Sequence, residues 1–417
     1  MKSYVTISLG CKVNAYEISA LTSRLQELGY VEDKVNPTVA IINTCSVTAT
    51  ADQKSRQHIR KLISNYPNAL VVVMGCYSQG HHDFIKNEIK ANVITGTSNR
   101  DKIINLIEEY TNNKKIIDIT DKEPRKYQYE ELGLTTHFEN VRAYLKIQDG
   151  CDNFCSYCLI PYVRGRSRSR VYENVINEAK SIVEQGYQEI VLTGIHVGGY
   201  GKDLENMSFS KLVGDLLDIP NLYRLRISSI EESEIDNKLI NLINTKDNLA
   251  KHFHIPLQAG SDTVLKRMNR KYNKEQFLNK IGLIKKACPD VTLTTDVIVG
   301  FPGENEEEFK ETYEFIKKCG FHMLHVFPFS SREGTLASKM KDQINPKVKK
   351  ERCLRLIELS NKLWDEYCSK FEGKEVEVLI EQYEDGYNIG HTSNYLEVKI
   401  TSDHSEVGKI VKTIYKK

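Results

Sequence analysis

Short aliphatic and β-branched runs alternate with amphipathic helical stretches along two long parts of the chain, and that alternation admits few folds. In residues 1–112 the runs are VTISLG (5–10), VAIINT (39–44) and ALVVVMG (69–75), with helical patterns over 17–28 and 52–63 between them. This βαβ order requires a parallel sheet with helical crossovers. A second alternation runs from 139 to 330. Its strand candidates are AYLKIQ, EIVLTGIH, YRLRISS, KHFHIPLQ, VTLTTDVIVG and HMLHVFPFS, and helices over 172–185, 273–286 and 304–318 lie among them. Six βα repeats predict a parallel barrel, full or partial, whose chemistry sits at the carboxyl ends of its strands. A basic turn and a helix complete this unit over 139–368. Residues 371–417 change character. EVEVLIE, YLEVKI and KIVKTIY are short alternating strands, which predicts a small all-β module. The polar stretch 113–138 holds little that seeds a core and reads as a linker. The class is therefore α/β, with an N-terminal parallel-sheet domain, a partial (β/α)6 barrel and a small all-β C-terminal domain.

The net charge is only +2, so overall charge does not announce a nucleic-acid partner. The first residues lack a secretory signal pattern and no apolar run is long enough to span a bilayer, so a cytoplasmic location without membrane partners is expected. In that compartment thiols stay reduced, and the ten cysteines call for a use other than disulfides. Cys288, Cys319, Cys353 and Cys368 have no partner at ligand spacing and read as small buried hydrophobes. Cys11, Cys45 and Cys76 each end one of the three N-terminal strands, in LGCKVN, NTCSVT and MGCYSQ. Ligands of open parallel sheets bind at those strand ends, so three distant thiols can converge.

The most informative stretch is GCDNFCSYCLIPYVRGRSRSR (150–170), in which Cys151, Cys155 and Cys158 form a C-x3-C-x2-C set. Three thiolates on one loop can hold three corners of a four-iron cluster and leave the fourth iron open. Zinc is the competing reading, but a structural zinc site usually shows two paired C-x2-C or C/H knuckles, and only one loop with three cysteines is present here.

That loop, following a first barrel strand and with Tyr157 before its last cysteine, resembles the radical S-adenosylmethionine (SAM) signature. The resemblance implies that the open iron chelates SAM and that SAM is cleaved to a 5′-deoxyadenosyl radical. It also implies SAM contacts. Tyr157 is one. Thr193 and Gly194 of LTGIHVGGYG would lie near the amino group. Arg226 and Ser228 of LRISS, Gln258 of HIPLQ and Val299 of DVIVGFPGE would meet the carboxylate, ribose and adenine. A three-cysteine α/β domain before such a barrel and a β module after it is similar to the methylthiotransferase family across essentially the whole chain. By that match Cys11, Cys45 and Cys76 hold a second 4Fe-4S cluster that carries the sulfur, and 371–417 resembles an RNA-contacting TRAM domain. LGCKVN, NTCSVT and HIPLQAGSDTVLKRMNRKY (254–272) are most similar to the branch acting on N6-threonylcarbamoyladenosine beside the tRNA anticodon, although Ala15 and Ala259 stand where Gln and Ser are usual. The implied partners are the tRNA anticodon stem-loop, an electron donor such as flavodoxin or ferredoxin, and a sulfur donor. The alternatives are methylthiolation of isopentenyladenosine in tRNA or of a ribosomal-protein aspartate, and, in another class, a non-catalytic iron–sulfur RNA-binding regulator.

Carbon 2 of adenine bears an unreactive C–H bond, so radical chemistry needs no His/Asp or paired-carboxylate set. The histidines 196, 252, 254 and 325 read as packed residues, any of which could also line a substrate pocket. For RNA, the alternation of Arg164, Arg166, Arg168 and Arg170 places four guanidiniums on one side of an extended segment, an expected phosphate anchor. Lys266, Arg267, Arg270 and Lys271 form a second patch. The last 47 residues hold six Lys against nine Asp and Glu, so RNA contact there rests on a local basic face and on Tyr387 and Tyr395.

Overall fold

The computed structural model describes residues 2–110, 116–121, 123, 128–136, 138 and 140–417. Strands β1 (Ser3–Ser8), β2 (Val31–Glu32), β3 (Val39–Thr44), β4 (Leu70–Gly75), β5 (Val93–Ile94) and β6 (Ile117–Asp118) form one sheet in the order β2-β1-β3-β4-β5-β6, parallel throughout. Helices cover both faces, so β3 is buried along its whole length. Successive side chains point oppositely: Ile41 packs with Ile18, Leu21 and Val72, and Ile42 with Ile59, Leu62 and Val73. The three crossing helices that matter here are α1 (Lys12–Glu27), α2 (Ala49–Asn65) and α3 (Cys76–Phe84). Thr48 caps α2, its hydroxyl accepting from the Ala51 N–H at 3.1 Å. Helix α1 begins five residues before its hydrophobic pattern does. The residues responsible, among them Asn14 and Glu17, are polar and buried, held by other loops rather than by a core.

Next come β7 (Ala143–Lys146), β8 (Gln148–Asp149), β9 (Arg168–Ser169), β10 (Glu189–Thr193), β11 (Arg224–Ile227), β12 (His252–His254), β13 (Thr292–Val299) and β14 (Met323–Pro328). β8 and β9 make a short antiparallel ribbon. The other six are parallel, in two ladders, β11-β10-β7 and β12-β13-β14. The bridges Leu225↔Leu249 and Ser229↔His254 join the ladders, so the six strands follow one another in space in chain order. β7 and β14 are not paired among the described residues, which makes the barrel partial. α1 lies on β7, and its Tyr16 and Ala20 enter the barrel core.

The helix Pro346–Ser369 packs on β14 and carries Tyr367 to the last module. There the Tyr367 hydroxyl lies 2.7 Å from Thr292 Oγ1 and accepts from Asn394 Nδ2 at 3.1 Å. Strands β15 (Glu375–Glu384), β16 (Tyr387–Thr392), β17 (Glu397–Thr401) and β18 (Ile410–Ile414) form an antiparallel sheet in the order β17-β16-β15-β18. β16 has no hydrophobic alternation to announce it. Its Gly390 lies so close to β15 that an added Cβ would sit 1.9 Å from the Leu379 carbonyl, so backbone approach rather than side-chain pattern builds this strand.

The expected linker departs from its reading. Residues 113–115, 122, 124–127 and 137 lie outside the described residues, but the rest includes β6 and buries Leu132 and Phe138 in the barrel core. Two apolar residues in a charged stretch suffice because the cavity they fill is made by other segments. No helix among the described residues is long and apolar enough to cross a membrane.

Candidate active site between two thiol sets

The carboxyl ends of β1, β3 and β4 bring Cys11, Cys45 and Cys76 together. Gly10 permits this at φ +97°, and an added Cβ there would stand 2.6 Å from Cys45 Sγ. Asn14 ties the loops: its Nδ2 donates to the carbonyls of Leu9 (2.7 Å) and Thr44 (3.1 Å). Thr44 Oγ1 donates to the Met74 carbonyl at 2.6 Å. Burial pushes the Cys76 thiol up to about 12, while the Arg164 guanidinium pulls it down and the Cys11 and Cys45 thiols push it further. All three thiols therefore lie within electrostatic reach of one another.

The second set stands on the loop between β8 and β9. Gly150 starts it at φ +72°, where a Cβ would meet the Arg166 carbonyl at 1.9 Å. Ser156 holds its far side, the N–H donating to the Met268 carbonyl (3.0 Å) and the hydroxyl to that of Arg267 (2.8 Å). Burial pushes the Cys158 thiol up to about 12. Arg270 donates to Cys155 Sγ at 3.4 Å. Burial disfavours the His196 proton, but the nearby Cys151 thiol and the Glu234 carboxylate, 3.5 Å from Nε2, outweigh it and raise that pKa to about 10. Among the described residues no three His, Cys, Asp or Glu side chains converge closely enough to hold a single metal ion, the arrangement a tetrahedral zinc site requires.

The arginine series does not face solvent. Arg164, Arg168 and Arg170 are buried, and Arg166 alone of the four is exposed, paired with Asp152 at 3.2 Å. Arg164 ends a helical turn, Ile160–Val163, with helical backbone itself, and Gly165 turns at φ +79°, so the segment is not one extended strand. Buried guanidiniums demand carboxylates. Arg164 meets Glu17 at 2.9 Å and Asp149 at 3.1 Å, Arg168 meets Asp149 at 3.3 Å, and Arg170 meets Glu178 and Glu131. Lys146 and Arg100 join the same network, with Glu130 on Arg100. Four cations (Arg100, Lys146, Arg164, Arg168) thus face three carboxylates (Glu17, Glu130, Asp149). The uncompensated positive charge has an outlet: Arg164 Nε donates to Cys76 Sγ at 3.2 Å. That suits a thiolate or another anionic group at the N-terminal thiols. In the second basic patch Arg270 and Arg267 are likewise taken, by Glu231 and Glu308, and Lys266 and Lys271 remain exposed.

Two adjoining cavities open on the thiols. The smaller, about 250 Å³, is lined by one thiol of each set, Cys76 and Cys158, together with Tyr157 and Gln258. The larger, about 740 Å³, reaches from Cys11 and Lys12 past Thr193, Gly194 and Ser228 to Tyr395 of the last module. Val47, Ile160, Asp296 and Phe327 line both. His252, His254 and His325, read from sequence as packed, also line the larger cavity. Lys12 reaches water through the cavity, yet protein surrounds it, and this burial, with Arg142 and Arg226 nearby, lowers its pKa.

The families described as Radical SAM superfamily and Uncharacterized protein family UPF0004 match residues 145–316 and 3–96. The chain is 45% identical over 413 residues to the Bacillus subtilis (strain 168) protein named Threonylcarbamoyladenosine tRNA methylthiotransferase MtaB, covering 97% of this chain and 92% of that one. The chain belongs to the radical SAM methylthiotransferase family. It is also 34% identical to the Aquifex aeolicus (strain VF5) protein of the same name, covering 98% of each. A tRNA-2-methylthio-N(6)-dimethylallyladenosine synthase from Acetivibrio thermocellus is 36% identical, covering 98% of this chain and 88% of that one. Among solved structures, the radical S-adenosylmethionine methyltransferase TsrM from Kitasatospora setae shares the fold at a TM-score of 0.57 and 14% identity, covering 78% of this chain and 73% of that one. Radical SAM enzymes use a 4Fe-4S cluster and SAM, and this methylthiotransferase is an enzyme of that class.

Of the residues expected to meet SAM, six line the cavities and Val299 does not. Its side chain is in the barrel core and its carbonyl accepts from the Phe329 N–H at 2.8 Å. Arg226 lines the larger cavity, but its guanidinium is engaged by Glu189 (2.6 Å) and by the carbonyls of Thr392 and Ser393 (both 3.1 Å), so it clamps the C-terminal module. Burial alone would raise the Glu189 pKa, but Arg226, Arg224 and Arg142 outweigh it and hold it at about 2. A depressed carboxylate stabilises the fold above its unfolded value near 4.5 and stops doing so as pH falls towards 2. The cluster-free methylthiotransferase is therefore expected to lose up to about 3 kcal/mol more than Glu189→Gln between pH 5 and 2, read by urea unfolding. Equal losses in both proteins would contradict this role.

Proposed function

We propose that this chain replaces the hydrogen on carbon 2 of N6-threonylcarbamoyladenosine, at position 37 in the tRNA anticodon stem-loop, with a methylthio group. The observation that carries the reading is the smaller cavity, walled by one thiol from each set, Cys76 and Cys158. The similarity to the Bacillus subtilis enzyme along nearly the whole chain supports the substrate. Cys151, Cys155 and Cys158 would hold one 4Fe-4S cluster and Cys11, Cys45 and Cys76 a second; each set leaves one iron without a protein thiol. When bound, the first with SAM supplies a 5′-deoxyadenosyl radical, and the second supplies the sulfur that a further SAM methylates.

The chain's own residues hold, orient and seal. Arg164 and Arg270 each donate to a thiol sulfur and stabilise negative charge on it. Val47, Ile160 and Phe327 give the shared part of the cavities an apolar wall that limits water around a reactive radical. Thr193, Gly194, Ser228, Tyr157 and Gln258 line the cavities and would hold SAM. Tyr395 stacks on His252 with ring centroids 4.8 Å apart and planes 15° from parallel, at the edge where a flipped base would enter. Lys266 and Lys271 are exposed and can meet phosphates, and exposed Arg166 can do so by exchanging its partner Asp152. Reductive cleavage needs an electron, supplied by a carrier such as flavodoxin or ferredoxin, and the inserted sulfur needs its own donor.

The test is nucleoside mass spectrometry of tRNA from a host lacking the modification and expressing this chain. The 2-methylthio derivative of N6-threonylcarbamoyladenosine is expected. Conversion of dimethylallyladenosine alone would overturn the substrate.

A further inference from the structure

We infer that Lys12 binds the carboxylate of the threonylcarbamoyl group and so sets the site for an anionic N6 substituent over an apolar one. This rests on the substrate reading above.

The larger cavity is where the three parts of the chain meet: Gly10–Val13 from the N-terminal domain, the strand ends of the barrel, and Tyr395 from the last module. Its charged lining is Lys12, Arg142, Arg226 and Asp296. Three of these are already answered. Arg226 has Glu189 at 2.6 Å, Arg142 has Glu381 at 2.9 Å, and Asp296 has His254 Nε2 at 3.3 Å. Lys12 has no carboxylate within ion-pair distance among the described residues. It also opens α1, whose first turn holds no acidic side chain and whose cap residue, Cys11, makes no capping hydrogen bond, so unpaired N–H groups add to the positive potential. A second group is unanswered. His252 is 7% exposed and lines the same cavity; its Nε2 lies 2.9 Å from Thr294 Oγ1, and its Nδ1 has no partner.

A threonylcarbamoyl group brings a carboxylate, a hydroxyl and amide N–H groups, which answer a lysine and an imidazole nitrogen. A dimethylallyl group brings none and would leave both polar groups unpaired, the strongest basis for discrimination a pocket has. Position agrees. Lys12 follows Cys11 directly, and carbon 2 and the N6-bearing carbon flank the same ring nitrogen of adenine. A base presenting carbon 2 to the N-terminal thiols therefore presents its N6 substituent close by.

An anionic oxygen at Lys12 could instead belong to SAM or to an RNA phosphate, and the experiment separates them. Reconstituted full-length wild type, Lys12→Met and Lys12→Arg are compared on tRNA carrying N6-threonylcarbamoyladenosine and on the same tRNA with that carboxylate capped as its methyl ester. Rates are normalised to iron content. Lys12→Met is expected to lower kcat/KM for the native tRNA by about 10- to 100-fold, the worth of one charge-assisted hydrogen bond, with Lys12→Arg recovering part. The capped tRNA should be equally poor for wild type and Lys12→Met. If Lys12→Met instead raises the KM for SAM and slows tRNA-free SAM cleavage as much, or weakens both tRNAs alike, the inference is overturned. A wild type that acts on the native tRNA with Lys12→Met unchanged overturns the inference alone. A wild type that ignores that tRNA overturns the substrate reading and the inference with it.

Discussion

Cys76→Ala is expected to abolish tRNA methylthiolation while leaving SAM cleavage in place. Cys76 is buried, as is Cys45, and of the N-terminal set it is the one that lines the smaller cavity with Cys158 and receives the Arg164 hydrogen bond. Without it, two thiols remain to hold a group that needs three. The C-x3-C-x2-C loop keeps its own supports, the Ser156 bonds to Met268 and Arg267 and the Arg270 contact with Cys155, none of which involves Cys76. Methylthiolated nucleoside should fall at least about a thousandfold, a loss of more than about 4 kcal/mol in transition-state stabilisation. 5′-Deoxyadenosine formation under reduction should stay within about threefold of wild type, a change of under 1 kcal/mol. Chromatography of both products in one reaction reads the split. If both collapse together, the two thiol sets do not have separate tasks.

Arg164→Gln should have the next largest effect, on binding of the N-terminal group and on the fold at once. Arg164 follows Cys158 by six residues, yet its guanidinium reaches Glu17, Asn14 and Cys76 of the other domain as well as Asp149 of its own. Removing one partner of a buried ion network typically costs about 3 kcal/mol or more, because the remaining charges stay buried and unanswered. Urea unfolding of the cluster-free protein measures that cost. Iron retention in a Cys151/Cys155/Cys158→Ala background measures the second effect, since only the N-terminal set remains there. Arg164→Gln should bring that iron from about four to below one, and Arg164→Lys, which keeps the charge and loses the planar fork, should restore part of it. Full iron in Arg164→Gln would make the residue a structural tie only.

Residues whose placement follows from local order are legible in the sequence. The three N-terminal thiols were found because parallel strands end at one edge, and the six barrel strands because β-branched runs recur between amphipathic helices. What depended on distant partners was not. The period-two spacing of Arg164 to Arg170 resembles a solvent-facing ladder only if the segment is extended and unburied. A helical turn and the carboxylate of Glu17, 147 positions away from Arg164, make it a buried network instead. The partners of Arg226 are distant in the same way: a strand-end arginine gives no sign in the sequence of Glu189 on the neighbouring strand beside it. Val299 sits where backbone and core packing decide, and side-chain type says little there. Lys12 is in plain view in LGCKVN, but that no carboxylate of the described residues pairs with it is seen only in the assembled cavity.

The central claim is two clusters serving one radical reaction. Its most direct measurement is anaerobic reconstitution of the wild type and of the Cys151/Cys155/Cys158→Ala triple variant, with iron counted and SAM cleavage followed in the presence of threonylcarbamoyl-modified tRNA. About eight irons in the wild type, about four in the variant, and 5′-deoxyadenosine from the wild type alone are the predicted results. A variant that keeps all its iron, or a wild type that binds one zinc and leaves SAM intact, would contradict both cluster assignments and the reaction built on them.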